Sequence, residues 1–240
     1  MKAESRDHII QFGLRQIPYR LHISQRKRLR VVVHPDLTVA VFAPMSATDQ
    51  EVRSALSRKA HLIARAIDKF DAYQPLPSPR RFVSGETLSY LGRQYRLKVE
   101  KGTRQPAKLM GRFLRVWVKD RTGVQGIKRA VASWYRKHAF DVLNRYLETC
   151  YGIASRHGVL RPTVAIRSMR TRWGSCTPSG RITLNVNLVQ VPVHCIEYVI
   201  MHEICHLKYH NHSKAFYSLL SRCQPDWRKR KETLDRFRVS

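Results

Sequence analysis

The stretch VHCIEYVIMHEICHLKYHNHS, residues 193–213, constrains this chain more than any other. Within a largely apolar run it carries His202, Glu203 and His206 as HExxH. On an α-helix residues four apart lie on one face, one turn above the other, so His202 and His206 can present two ring nitrogens to a single ion. Glu203 stands beside them, displaced by about a third of a turn. A mostly apolar helix must give such polar groups partners, and a shared metal ion supplies them. Neutral imidazoles suit Zn2+, and a neighbouring carboxylate that is not itself a ligand can take a proton from water on the metal. With only three fixed positions in a His-rich chain, the motif needs support from its surroundings.

A catalytic zinc site takes three protein ligands and keeps a fourth position for water. Downstream of the motif stand His210, His212, Asp226, Glu232 and Asp235. Were the helix to continue, His210 would lie about 12 Å along its axis from His202, too far to share the ion. A break around Tyr209 to Asn211 instead brings His212 back. Asn211 suits the left-handed conformation of such a reversal, and Ser213 can cap a following helix over 214–222. The interval from His206 to His212 equals that in HExxHxxGxxH, with Tyr209 where that pattern has Gly. An acidic third ligand on a later helix is the alternative.

Along the chain the pattern reads as α+β: a β-rich N-terminal part with a helix, then a catalytic part with a β-hairpin and the HExxH helix. Residues 19–23 and 29–33 are expected to pair through the basic turn 24–28, with 37–42 continuing the β pattern. Ser46 or Thr48 caps a helix that ends near Tyr73. QPLPSPRR, residues 74–81, is the best linker. Strands follow at 88–91, 95–99 and 113–118, then an amphipathic helix from Val124 to Tyr151 that stops at Gly152. Within it His138 reads as a packing or surface residue. Residues 164–188 are expected to form a hairpin turning at Thr177 to Gly180, after which Pro192 opens the metal-site helix. The regions divide as 1–120 and 121–240, compatible with one compact unit, and no internal repeat is evident.

Composition narrows the partners. The chain has 45 Lys+Arg against 17 Asp+Glu, a net charge of +28 and a pI near 10.8. Such a field favours polyanions, whether nucleic acid or nucleotides, unless it is simply a solvated surface. Five cysteines without CxxC spacing read as reduced thiols. The N-terminus lacks the apolar stretch of a secretory signal, and no run of about 18 apolar residues predicts a membrane span. The expected location is the cytoplasm.

RTRWGSC (170–176), RITLNVNLVQVP (181–192), YVIMHEICHLKYHNHSKAFY (198–217) and PDW (225–227) together resemble the YgjP-like metallopeptidase family, related to the SprT-like and minimal gluzincin zinc hydrolases. FVSGETLSYLGRQYRLKV (82–99) resembles that family's N-terminal part. The resemblance implies a zincin-like catalytic part in which His202, His206 and His212 bind Zn2+, Glu203 is catalytic and a hairpin borders the cleft.

The chemistry then expected is hydrolysis, with Glu203 as general base. Arg172, Tyr209 and His210 are candidates for contacts to substrate or to a developing oxyanion. Arg172 and Trp173 also read as a structural corner of the hairpin, and Asn185 and Asn187 as supporting residues. A peptide held by β-augmentation is the first substrate class, and a nucleoside triphosphate the second. A nucleic-acid-associated module with a structural zinc is a third reading, although structural sites are normally closed by four protein ligands.

Overall fold

Alternation along RQIPYRLHIS turns Ile17, Tyr19 and Leu21 to one side and Arg20 and His22 to the other. In the computed structural model, which describes residues 5–34, 36–71, 80–102 and 107–237, this segment is strand β2 (Arg15–Ser24). It is joined by β1 (Ser5–Phe12), β3 (Arg30–Val33) and β4 (Val39–Pro44) in the order β1-β2-β4-β3. The expected pairing of 19–23 with 29–33 does not occur. β4 lies between them, parallel to β2 and antiparallel to β3. The reason is burial: Val39, Val41 and Ala43 are all enclosed, so β4 takes the interior of the sheet.

Helix α1 (Asp49–Asp71) covers the inner face with Val52, Leu56, Ile63 and Ile67. Its start is a capping box: the Glu51 N–H donates to Thr48 Oγ1 at 3.3 Å, and the Thr48 N–H donates to Glu51 Oε2 at 2.9 Å. Thr48, not Ser46, is the cap. The expected helix end at Tyr73 and residues 74–79 of the expected linker lie outside the described residues. At that point the chain divides into two compact units, Met1–Pro79 and Arg80–Ser240.

The second unit begins with β5 (Thr87–Tyr90), β6 (Arg93–Lys101), β7 (Ala107–Met110) and β8 (Phe113–Val118) in the order β5-β6-β8-β7. β5 and β7 are antiparallel to their neighbours, and β6 runs parallel to β8. Helix α2 (Val124–Ser155) follows. This repeats the first unit element for element: four strands in the same order and pairing, then a long helix. The repeat went unseen in the sequence because pairing order, not residue identity, preserves it. Leu97, Leu114 and Val116 share a core with Ile127, Val131 and Trp134, so the sheet and the helix beyond residue 120 are one packed body. α2 runs through Gly152 to Ser155, held by the fully buried Ala154. His138 stacks on Trp134 at 4.1 Å, a packing role.

β9 (Thr163–Arg167), β10 (Gly174–Cys176) and β11 (Arg181–Asn185) form a sheet in the order β10-β11-β9. The hairpin is β10–β11, closed by the turn at Thr177–Gly180, where Gly180 adopts φ +80°. β9 pairs with β11 in parallel, so 163–167 is a third strand and not a hairpin arm. A 3₁₀ helix (Val186–Gln190) leads into α3 (Val193–His206), followed by α4 (Lys214–Cys223) and α5 (Trp227–Asp235). Among the described residues no helix is long and apolar enough to cross a membrane.

Candidate metal centre

Two devices hold α3 in place. The β5–β6 turn, with Leu91 at φ 50° and Gly92 at φ 78°, tucks under its start: the Leu91 N–H donates to Val189 O at 2.7 Å. A Cβ on Gly92 would come within 2.9 Å of Pro192 Cα, so only glycine fits both the turn and the contact. Asn185, wholly buried, donates through Nδ2 to the carbonyls of Met169 (2.8 Å) and Arg172 (2.9 Å) and accepts from the Asn187 N–H at 3.1 Å. It ties the loop before β10 to the 3₁₀ helix.

His206 is the last residue of α3. The Tyr209 N–H closes the end on Cys205 O at 3.0 Å, the chain reverses, and Ser213 caps α4 by accepting from the Phe216 N–H at 3.4 Å. That reversal carries His212 back over α3. His202 Nε2 stands 3.2 Å from His206 Nε2 and 3.1 Å from His212 Nε2. Among the described residues these three histidines are the only group of three or more potential ligand side chains converging in this way, their ligand atoms all within 4.8 Å of one another. Two nitrogens about 2.0–2.1 Å from a tetrahedral zinc ion stand roughly 3.3 Å apart, so the observed spacing fits such an ion. The tautomer fits as well: His206 Nδ1 lies 3.0 Å from Tyr209 O, and an Nδ1–H donated there leaves the Nε2 lone pair facing the other two rings. Phe216 underlies all three rings, with centroids 5.1, 4.5 and 4.9 Å from those of His202, His206 and His212.

Burial, reinforced by His206 and His212, pushes His202 down to about 3, and burial lowers His206 also, so both favour the neutral, ligating form. Glu203 is buried, and burial raises its carboxyl to about 7, with Arg172 pulling the other way. Its side chain lies against the backbone of β10: a Cβ on Gly174 would fall 2.7 Å from Glu203 Cγ and Oε1. A cleft of about 180 Å³ opens beside it, lined by Trp173, Tyr198, His202, Glu203, Lys231 and Asp235 among others. Lys231 Nζ and Asp235 pair at 2.8 Å on its wall. A larger hollow of about 350 Å³ lies in the first unit, but its lining of Val31, Val33, Leu62 and Ile63 with Lys59 offers no metal ligand.

The other expected contacts divide. Arg172 stands close enough to Glu203 to act on its charge. Tyr209 contributes its backbone carbonyl to His206. His210 is exposed and outside the triad, and Asp226, Glu232 and Asp235 do not join it. Sequence reasoning missed Gly174, Tyr198 and Phe216. Tyr198, four residues before His202 and 5.8 Å from it between centroids, could have been found from the helical spacing alone.

No curated protein matches the chain. A crystal structure of the metallopeptidase zymogen of Pyrococcus abyssi abylysin is 28% identical over 39% of this chain and 90% of that one, with a TM-score of 0.34. The family described as YgjP-like, metallopeptidase domain, matches residues 27–237, nearly the whole chain. With all but the ends of its sequence inside that match, the chain belongs to the YgjP-like metallopeptidase family.

Proposed function

We propose that the chain is a zinc-dependent peptidase whose ion is held by His202, His206 and His212 and whose general base is Glu203. The observation that carries this reading is the convergence of three Nε2 atoms beside a buried carboxylate with a raised pKa. Zinc held by these nitrogens would supply Lewis acidity, easing deprotonation of water near neutral pH. Glu203 takes that proton on its carboxylate and, with a pKa of about 7, can hand it on to the leaving amine. Gly174, with no Cβ, lets the carboxylate lie against β10, and Trp173 and Tyr198 line the cleft. β10 is an edge strand, so an extended peptide can pair along it next to Glu203. Arg172, whose charge acts on that carboxylate, is assigned to meet developing negative charge.

A structural zinc is disfavoured, since among the described residues no fourth ligand joins the three histidines. A nucleoside triphosphate remains the second substrate class, favoured by the +28 charge. All five cysteines are free thiols, four of them buried, which supports a reducing, cytoplasmic setting.

The test assays zinc-loaded protein against unstructured peptides and nucleoside triphosphates in parallel. Glu203→Gln is expected to keep stoichiometric zinc and lose at least a hundred-fold in peptide hydrolysis, within the ~10²–10⁴ range typical of general bases. His206→Ala is expected to lose the zinc. Full activity in Glu203→Gln would refute the base assignment, and turnover of triphosphates alone would replace the substrate class.

A further inference from the structure

The β5–β8 sheet gives α2 only one face. On the other, the pleat turns out Arg96 and Lys98 from β6, Lys108 from β7, and Phe113, Arg115 and Trp117 from β8. Register sets them in rows across the strands. Lys98 lies opposite Arg115, which lies opposite Lys108, and in the next row Arg96 lies opposite Phe113. Like charges directly opposite one another destabilise a sheet, so three cations in one row favour the fold only when an anion meets them. The carboxylate among them is Glu100, 3.4 Å from Lys98 and 3.5 Å from Arg115, which leaves four cations against one acid. Phe113 is 40% exposed and Met110 beside it 42% exposed, so apolar surface is interleaved with the charge.

The repeated first unit supplies an independent observation. With the two-residue turns of the first hairpins aligned, Phe12–Arg15 on Tyr90–Arg93, Arg20 occupies the position of Lys98 and Phe42 that of Trp117. An aromatic ring lies on this face too: Phe42 stands opposite His22 and Arg30, with His22 stacked on it at 5.1 Å and Arg26 over it at 5.5 Å. A cation and an aromatic ring thus recur at matching positions on the same face of both sheets.

We infer that the outward face of the β5–β8 sheet binds single-stranded nucleic acid. Lys and Arg track the phosphates, and Phe113 offers a flat ring for a base to stack on. A single strand is favoured over a duplex because only unpaired bases present their faces to an exposed ring. This inference does not depend on the peptidase reading.

The experiment titrates the full chain into a fluorescein-labelled oligothymidylate, a duplex of equal length, and heparin, over a range of salt. Two charge-reversed triples are compared: Arg96→Glu/Lys98→Glu/Lys108→Glu on the sheet face and Lys128→Glu/Arg129→Glu/Lys137→Glu on exposed positions of α2. The sheet triple is expected to weaken oligothymidylate binding by about ten-fold or more and to flatten the log–log salt slope by about 2, at roughly 0.7 per phosphate contact. The helix triple, with the same net charge, is expected to change binding by less than about three-fold, a non-specific share. Phe113→Ala, a single change at an exposed site, should weaken oligothymidylate binding by about five-fold or more and leave heparin unaffected. Unaltered unfolding temperatures in each variant show that the fold is intact. Equal losses in the two triples, tighter binding of duplex or heparin than of the single strand, or no effect of Phe113→Ala would each overturn the inference.

Discussion

A Cβ built on Gly174 falls 2.7 Å from both Cγ and Oε1 of Glu203, so alanine there displaces either the carboxylate or strand β10. The three nearest atoms all belong to Glu203 and none to a histidine. Gly174→Ala is therefore expected to keep its zinc, to lose at least about ten-fold in hydrolysis, and to cost about 1–3 kcal/mol as overpacking does. Gly180→Ala is the control: a Cβ there meets only Leu207, at 4.0 Å, but φ is +80°, so it costs about 1–2 kcal/mol and leaves hydrolysis intact. Equal activity losses in the two variants would show that Gly174 acts through stability alone. At this scale the sequence yielded what a single helix determines. His202, Glu203 and His206 share one helix and one geometry, so their spacing was legible. Gly174 and Phe216 reach the site from other elements, and no local spacing reports that.

His212 depends on an element boundary, the reversal between α3 and α4. Ser213, by accepting from the Phe216 N–H, fixes where α4 begins and hence where His212 points. Loss of an N-cap costs about 1 kcal/mol. Ser213→Ala is expected to lower stability by that amount and to weaken zinc binding several-fold, whereas Ser213→Asp, which can cap equally well, restores both. A chelator competition measures the affinity, and a Ser213→Ala protein with unchanged zinc affinity would separate the cap from the ligand. The cap chemistry of Ser213 made the start of α4 legible beforehand, whereas Asn211 does not take the left-handed conformation expected of it: among the described residues the non-glycine positions with positive φ are Leu37, Phe82 and Leu91. Strand partners were not: the apolar alternation of 19–23, 29–33 and 37–42 marks strands but is silent on which lies between the others. The hairpin at 174–185 shows the same limit, since its turn was found correctly and its first arm was assigned to 163–167, which pairs in parallel instead.

For the molecule as a whole, the buried ionisable groups of the candidate site make stability depend on pH in a way that no single element reveals. In the metal-free protein, burial takes His202 from 6.5 to about 3 and lowers His206. Between the two values the unfolded chain binds the proton and the folded chain does not, so this contribution falls away as pH drops below about 6.5. Glu203 runs the other way, raised from 4.5 to about 7. The folded chain then binds the extra proton, and stability declines as pH rises through that window. From about pH 4.5 to 6.5 the slopes oppose, each group contributing at most about 1.4 kcal/mol per pH unit, so Glu203 offsets one histidine's share and makes the wild-type profile shallower. Glu203→Gln removes the second slope. Its metal-free stability should rise with pH across the window and exceed that of wild type at pH 7 by something on the order of 2–3 kcal/mol, the cost of keeping a carboxylate in a dry site. Urea midpoints measured in chelator at intervals from pH 4.5 to 7 decide the matter, and parallel profiles for the two proteins would contradict it. Zinc in hundred-fold excess over its Kd should then add about 2.7 kcal/mol to either protein and nothing to His206→Ala, because binding stabilises only a folded state that holds the ion.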